Sequence, residues 1–159
     1  MDGNGRWAEQ RGLPRSDGHT AGIRRMLSLT SHAFDKGVRS VICYSLSTEN
    51  LARAKEEVDH IFTLIPQYAD MFVSACQKLG VAMRFVGDLS LLPEEVRGSM
   101  ANTEQRTQSC SADGKTLYVA VAYGSRAEIV NAVNAAVAKG QPVTEQDFLQ
   151  SLYYPVEPD

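Results

Sequence analysis

The sequence predicts an α/β protein in which a parallel sheet is flanked by helices. Three short runs rich in β-branched and apolar residues, 40–46, 81–86 and 116–122, have the length and composition of strands covered on both faces. Longer segments with apolar residues at helical spacing separate them. Because strands that alternate with helices form parallel sheets through right-handed crossovers, the three runs are expected to share one sheet.

The composition is that of a single globular domain. The chain has 159 residues, 43% hydrophobic and 22% charged, and its net charge of −3 disfavours general nucleic-acid binding. No apolar run approaches the roughly 18 residues of a membrane span, and the start does not resemble a signal peptide, so a cytoplasmic protein is expected. Cys43, Cys76 and Cys110 are widely spaced, which predicts core thiols rather than a disulfide or zinc site.

The first 19 residues gather glycine, asparagine and arginine around a carboxylate, in the order MDGNGRWAEQRGLPRSDGH. Glycines on both sides of an asparagine allow backbone amides to converge on an anion. Residues 1–25 contain five arginines against three acids, a basic region that suits a small anionic ligand. A carboxylate beside such a loop fits an anion that arrives with Mg²⁺, so a metal-diphosphate site is predicted, with an ordinary polar loop as the alternative.

Polar residues follow the first predicted strand at the edge where open α/β sheets bind ligands. They are Ser47, Thr48, Glu49 and Asn50. A helix predicted over about 19–35 precedes this strand, and its N-terminal amides would lie beside the glycine loop and favour an anion there. The cluster and the loop are therefore expected to face each other.

A long helix is predicted over residues 55–79, bent by Pro66 and apolar over more than half of its circumference. Such a helix packs between two layers or in a dimer contact, or it lines an apolar ligand channel. Further helices are predicted from Pro93 to about residue 107, from the 125 region to Gly140, and from Thr144 to about residue 153.

Several motifs resemble, in their order and spacing, those of the cis-prenyltransferases, the family of undecaprenyl diphosphate synthase and isoprenyl transferase. They are MDGNGRWA, RGLPR, Gly18-His19, SLSTEN with Arg53, VGD at 86–88 and AYGSRAEI at 122–129. The resemblance implies that family's α/β fold and Mg²⁺-dependent condensation of isopentenyl diphosphate with an allylic diphosphate such as farnesyl diphosphate. The implied product is a cis-polyprenyl diphosphate such as undecaprenyl diphosphate, the lipid carrier for cell-wall synthesis. A homodimer that touches the membrane through this lipid is implied as well.

The resemblance also assigns roles to individual residues. Asp2 would hold Mg²⁺ and the allylic diphosphate and is expected to be catalytic. Asn50 matches the residue associated with proton removal; because an amide is a poor base, it is expected to position the proton for a diphosphate oxygen or water. The predicted substrate-binding residues are Gly3, Asn4, Gly5, Arg6, Trp7, Arg15, His19, Ser47, Thr48, Glu49, Leu51 and Arg53.

The chain departs from the family pattern at several places. Leu51 and Ala54 stand where the family usually has tryptophan and proline, and Ala122 replaces a common asparagine. The family's strand before the opening aspartate and its C-terminal arginine motifs are not seen, so a single domain over 1–159 lacking these parts, and inactive alone, is expected. The alternatives are a non-catalytic or degenerate subunit of a prenyltransferase and an unrelated phosphate-binding module.

Overall fold

The computed structural model describes residues 1–111, 113–138, 140 and 142–154. Three strands form one parallel sheet: β1 (Ser40–Ser47), β2 (Ala82–Val86) and β3 (Thr116–Tyr123). Their order is β1-β3-β2, and the first residues of β1 and β2 both lie opposite Thr116. The predicted parallel α/β sheet is confirmed.

Helices connect and cover the strands. They are α1 (Asn4–Glu9), α2 (Arg15–Asp35), α3 (Lys55–Leu79), α4 (Glu94–Gln108), α5 (Ser125–Val137) and α6 (Glu145–Gln150). Helix α3 continues through Pro66 and ends at Gly80, whose left-handed backbone caps it. Thr144 caps α6 as predicted, although α6 ends three residues earlier than expected. In the described part of the chain, none of the helices combines the length and hydropathy needed to cross a bilayer.

The hydrophobic core lies between the sheet and helices α2, α3 and α4. Its most enclosed members come from strands β2 and β3 and from the facing helix surfaces, and include Met83, Met100, Leu117, Val73 and Cys76. Helix α3 contacts α2 on one side and α4 on the other. The core therefore holds α3 against the sheet, which fixes the helix that borders the cavity described below.

Strand β1 is more exposed than its sequence predicts. It lies at an edge of the described sheet, and Ile42 and Tyr44 are 53% and 44% exposed. The expectation that both of its faces are covered is wrong, because an apolar run does not distinguish an edge strand from a central one. Cys43 on this strand and Cys110 are only half-buried, so the prediction of core thiols holds for Cys76 alone.

The N-terminal segment is helical rather than a loop. Residues 4–9 form α1, and α2 begins at Arg15, four residues before the predicted start. The loop was predicted because glycine and asparagine have low helix propensity. In the structure, packing of this segment against α2 overrides that propensity. Gly3 adopts φ 81°, a left-handed conformation suited to glycine, and turns the chain into α1.

Helices α1 and α2 pack at a separation that glycine permits. A Cβ atom at Gly18 would lie 2.0 Å from the carbonyl oxygen of Asn4, and one at Gly22 would lie 2.6 Å from the Asn4 side-chain nitrogen. Both glycines lie on one face of α2 because they are four residues apart. Asn4 therefore sits directly against the surface of α2.

Ala122 is the non-glycine residue with positive φ, at 50°, among the described residues. It lies where β1 and β3 shift register, and this backbone conformation costs an alanine about 1 kcal/mol. Asparagine tolerates left-handed backbone better than alanine does. The asparagine common at this position in the cis-prenyltransferases suits the conformation that the alanine adopts here.

Helix α5 turns its small and polar side inward. Ala132 and Ala136 are buried, and the buried Glu128 accepts a hydrogen bond of 2.7 Å from the Tyr123 hydroxyl. The large aliphatic residues face outward instead; they are Ile129, Val130, Val133 and Val137. The predicted helix is present, but it ends at Val137 rather than at Gly140.

The glycine contact between α1 and α2 predicts a contrast between two alanine substitutions. Gly18→Ala should lower the free energy of unfolding by about 2 kcal/mol or more, because the added methyl group overlaps the Asn4 carbonyl. Gly98→Ala on α4 should raise it by about 0.5–1 kcal/mol, because alanine is the better helix former and no described atom lies within 4 Å of that Cβ position. Urea unfolding of the two variants checks this, and equal effects would contradict the packing described.

Candidate active site

A cavity of about 420 Å³ lies between the sheet and helices α2 and α3. Exposed polar residues of the N-terminal segment line one end of it, so this end is its mouth. Buried apolar residues line the rest, and they come from all three strands and both helices; they include Met26, Leu64, Phe72, Met83, Val119 and Val121. The cavity thus joins a polar mouth to an apolar interior.

Most of the predicted site residues meet at this cavity. The structure brings together at its lining Asp2, Gly3, Asn4, Gly5, Arg6, Arg15, His19, Asn50 and Arg53. These residues come from two parts of the sequence that are about 30 residues apart. The expectation that the glycine segment and the polar cluster after β1 face each other holds for Asn50, whereas Ser47, Thr48 and Glu49 do not line the cavity.

The other predicted residues lie beside the cavity lining rather than in it. Trp7 is exposed on α1, where the Arg11 guanidinium lies 4.4 Å from its ring centre. Leu51 packs against the hydrophobic core. Ser47 supports Asn50, whose backbone N–H donates to the Ser47 hydroxyl oxygen at 3.1 Å. The Thr48 backbone N–H donates to the Tyr123 carbonyl at 3.0 Å, and the Thr48 hydroxyl donates to Glu49 at 3.3 Å.

Asp2 presents an ionised carboxylate at the mouth. Its side chain is 89% exposed, and it accepts hydrogen bonds from the Gly3 N–H at 2.6 Å and from Arg6 at 3.2 Å. The Gly3 amide first, and then the Arg6 charge, hold the pKa of Asp2 below its ordinary value. Asp2 is therefore a carboxylate throughout the physiological pH range.

Arg15 is held in place by two carboxylates and a glycine. Its guanidinium contacts Glu9 at 2.9 Å and Glu57 at 3.4 Å, and the hydrogen bond that it donates to Glu9, followed by the charge of Glu57, raises its pKa. A Cβ atom at Gly5 would lie 2.7 Å from the Arg15 guanidinium carbon, so glycine makes room for this cation. Its Nε atom is buried and has no hydrogen-bond partner among the described residues, which fits an acceptor brought by a ligand.

His19 lines the same part of the cavity and is half-buried. Burial lowers its pKa below the ordinary value, and the neighbouring Arg15 lowers it further, although the Glu57 carboxylate at 3.8 Å acts in the opposite direction. The imidazole is therefore neutral at pH 7. Its Nε2 atom is buried and lacks a hydrogen-bond partner in the described structure, so it too fits a polar ligand.

A metal ion at this mouth would depend on Asp2. Within residues 1–111, 113–138, 140 and 142–154, no group of three or more His, Cys, Asp or Glu side chains is arranged to hold a metal. Mg²⁺ is commonly bound by one or two carboxylates together with substrate phosphates and water. A single exposed carboxylate beside an anion pocket fits Mg²⁺ that arrives with a diphosphate, and does not fit a metal caged by protein ligands.

Sequence reasoning did not find Glu9 and Glu57, the two carboxylates that contact Arg15. Glu57 lies four residues after Arg53 at the start of α3, a spacing that places the two side chains on one helical face. Glu9 gave no such signal, because its contact depends on how α1 packs against α2. The sequence shows Gly18 and Gly22 as small residues four positions apart on one helix. It does not show that Asn4 packs against them.

A family model described as "Putative undecaprenyl diphosphate synthase" matches residues 1–159. The chain belongs to the undecaprenyl diphosphate synthase family. It is 37% identical over 164 residues to an isoprenyl transferase of Thermotoga maritima, covering all of this chain and 70% of that protein. It is 41% identical over 133 residues to a ditrans,polycis-undecaprenyl-diphosphate synthase of Lactiplantibacillus plantarum, described as specific for (2E,6E)-farnesyl diphosphate, with 84% of this chain and 51% of that protein covered.

The fold is shared with a prenyl diphosphate synthase of known structure. Lavandulyl diphosphate synthase from Lavandula x intermedia, crystallised with dimethylallyl diphosphate, superposes with a TM-score of 0.84 at 29% identity, covering 96% of this chain and 68% of that one. The whole-chain match excludes the unrelated phosphate-binding module. The chain is of the prenyltransferase class.

The lowered pKa of His19 predicts a loss of stability on acidification. The unfolded chain binds a proton at His19 at a higher pH than the folded chain does, so stability falls as the pH drops from about 6.5 toward the folded pKa. His19→Gln should remove this part of the pH dependence. Urea unfolding at pH 7.5 and 5.5 in a buffer without phosphate gives the free energy of unfolding at each pH. His32→Gln, at an exposed position of the same helix, is the control variant. A pH dependence unchanged by His19→Gln would contradict the prediction.

Proposed function

We propose that this chain binds an allylic prenyl diphosphate, with the diphosphate at the polar mouth of the cavity and the prenyl chain in its apolar interior. The observation that carries this proposal is the cavity itself, because one continuous space joins arginines to deeply buried aliphatic and aromatic side chains. A prenyl diphosphate has the same division into a charged head and an apolar tail. The reaction proposed is condensation with isopentenyl diphosphate to lengthen the chain in cis.

The chain's own groups account for binding and for loss of the diphosphate. Arg6 and Arg15 lie at the mouth together with the N-terminal end of the helical segment that begins at Asn4. As the bond to the prenyl carbon breaks, negative charge grows on the diphosphate, and these cations stabilise it. The buried and unpartnered Nε atom of Arg15 supports this role.

Asn50 is proposed to orient isopentenyl diphosphate for proton loss. Asn50 lines the cavity, and its backbone is fixed by the hydrogen bond to Ser47. Because an amide is a poor base, the proton passes to a diphosphate oxygen or to water. Asp2 would hold Mg²⁺ together with diphosphate oxygens, and the ion would supply charge stabilisation at the leaving group.

Helix α3 is proposed to form one wall of the space for the growing chain. Ile61, Leu64, Ile65 and Phe72 line the cavity, while other residues of α3 pack against α4. The helix therefore combines both alternatives that its sequence left open, core packing and an apolar channel. Excluding water from this space protects the reactive allylic group from hydrolysis.

The finer properties implied by the family are also proposals. Undecaprenyl diphosphate for cell-wall synthesis is the proposed product. A homodimer is proposed because the aliphatic residues on the outer side of α5 offer an apolar surface that a second copy would bury. The cytoplasmic location and the membrane contact through the lipid product stay predictions. A non-catalytic subunit is disfavoured, because Asp2 and Arg6 are present and face the cavity.

The proposal predicts selective binding of farnesyl diphosphate. In a calorimetric titration with Mg²⁺, farnesyl diphosphate should bind and ATP should not, because the interior accepts an apolar chain and offers little to a nucleoside. Asp2→Asn should weaken binding of the farnesyl compound by about tenfold with Mg²⁺ and by much less with EDTA. Equal binding of ATP and farnesyl diphosphate, or no effect of Mg²⁺, would contradict it.

A pair of tryptophan variants on α3 provides the control for the prenyl chain. Ile65→Trp fills part of the cavity and should weaken farnesyl diphosphate while leaving inorganic pyrophosphate unaffected. Gln67→Trp, at an exposed position of the same helix, should change neither. Equal losses for the two ligands in Ile65→Trp would mean that the prenyl chain does not enter the cavity.

A further inference from the structure

Two arginines and a histidine of the site surround one carboxylate oxygen of Glu57. Its Oε1 atom lies 3.0 Å from Arg53 Nη1, 3.4 Å from Arg15 Nη2 and 3.8 Å from His19 Nε2. The side chain is 23% exposed, so these contacts are partly shielded from water. Burial disfavours its ionised form, but Arg15 and Arg53 outweigh burial and keep the pKa of Glu57 below its ordinary value.

These three basic side chains come from two parts of the fold. Arg15 and His19 lie in the first part of α2, and Arg53 lies between the 3₁₀ turn Glu49–Ala52 and α3. Glu57 in the first turn of α3 is the group that they share. Arg15, His19 and Arg53 line the cavity, and Glu57 itself is not among the lining residues. Its position therefore suits a residue that acts on the ligand through its neighbours.

We propose that Glu57 is a positioning residue for the diphosphate, an inference that rests on the proposed function. Its carboxylate holds one edge of each guanidinium before the ligand arrives, and Glu9 holds a second edge of Arg15. Long cationic side chains lose much rotamer freedom when a ligand fixes them, so prior fixation reduces the entropic cost of binding. The donors turned away from Glu57, including the unpartnered Arg15 Nε, are left for diphosphate oxygens.

A competing effect gives the opposite sign and makes the proposal testable. A carboxylate near an anion site repels the anion and neutralises part of the charge of the arginines. If Glu57 acted only in this way, removing its charge would tighten diphosphate binding. If Glu57 positions the arginines, removing its oxygen atoms weakens binding, and an uncharged oxygen at the same place retains much of the affinity.

The test is calorimetric titration with inorganic pyrophosphate and Mg²⁺ of the parent chain, Glu57→Ala, Glu57→Gln and the control Asp59→Ala. Asp59 lies on the same helix, is exposed and pairs with Lys55. Glu57→Ala should weaken binding by about tenfold, and Glu57→Gln by about threefold or less because its amide oxygen still accepts from a guanidinium. Asp59→Ala should bind as the parent does.

A second readout reports the arginines without any ligand. ¹⁵N relaxation of the Arg15 and Arg53 Nε–H groups should show ordered side chains in the parent chain and mobile ones in Glu57→Ala, with Glu57→Gln between them. If Glu57→Ala does not fold, arginine mobility is compared between the parent chain and Glu57→Gln alone. Tighter binding in both Glu57 variants, or unchanged affinity with unchanged arginine mobility, would overturn the positioning role. Failure of the parent to bind pyrophosphate would overturn the proposed function and the inference with it.

Discussion

The close packing of α1 on α2 is the contact on which the candidate site depends. Asn4 lies against Gly18 and Gly22, and the Arg15 guanidinium lies against Gly5. A larger residue at Gly18 would push the two helices apart, because its Cβ would overlap the backbone carbonyl of Asn4, whereas at Gly5 and Gly22 it would displace the Arg15 and Asn4 side chains. Since Asp2 and Arg6 flank this contact in sequence, their position at the cavity mouth follows from it. The glycines therefore serve two needs, as packing surfaces and as part of a site for an anion.

Charge at the mouth is balanced rather than simply positive. Arg6 pairs with Asp2, and Arg15 lies between Glu9 and Glu57. Pairing keeps the arginines ordered and prevents the repulsion that unpaired cations would cause at one place. Under the proposed function, an incoming diphosphate would meet donors whose directions are already restricted. Behind them the cavity wall is aliphatic and aromatic, so the charged and apolar parts of one ligand are separated by the fold itself.

The sequence predicted the sheet and most helices because their signals are local. Apolar runs of strand length and helical periodicity over α3 do not require knowledge of distant contacts. Helix α1 was missed because Gly3, Asn4 and Gly5 disfavour a helix locally, and only packing against α2 overrides that preference. The exposure of Ile42 and the left-handed backbone of Ala122 depend on strand order and register, which local patterns do not contain.

Only the part of the candidate site that lies in sequence motifs could be predicted from the sequence. Motif residues such as Asp2, Asn50 and Arg53 could be taken from the family resemblance, and the structure brings them to one cavity. Ser47 and Leu51, which were predicted to bind substrate, lie outside the cavity lining: Ser47 supports Asn50, and Leu51 packs against the core. Glu57 lies in no motif that marks it as functional; its spacing from Arg53 indicates one contact, but its contacts with Arg15 and His19 depend on how α2 packs against α3.

The central claim is that one cavity holds both ends of a prenyl diphosphate. A crystal structure of the chain with Mg²⁺ and farnesyl thiolodiphosphate, whose sulfur slows loss of the diphosphate, tests it most directly. The account predicts phosphate density beside Gly3, Arg6 and Arg15, and a carbon chain that runs inward toward Phe72 and Met83. A diphosphate bound away from these arginines, or a farnesyl chain lying on the protein surface, would contradict it.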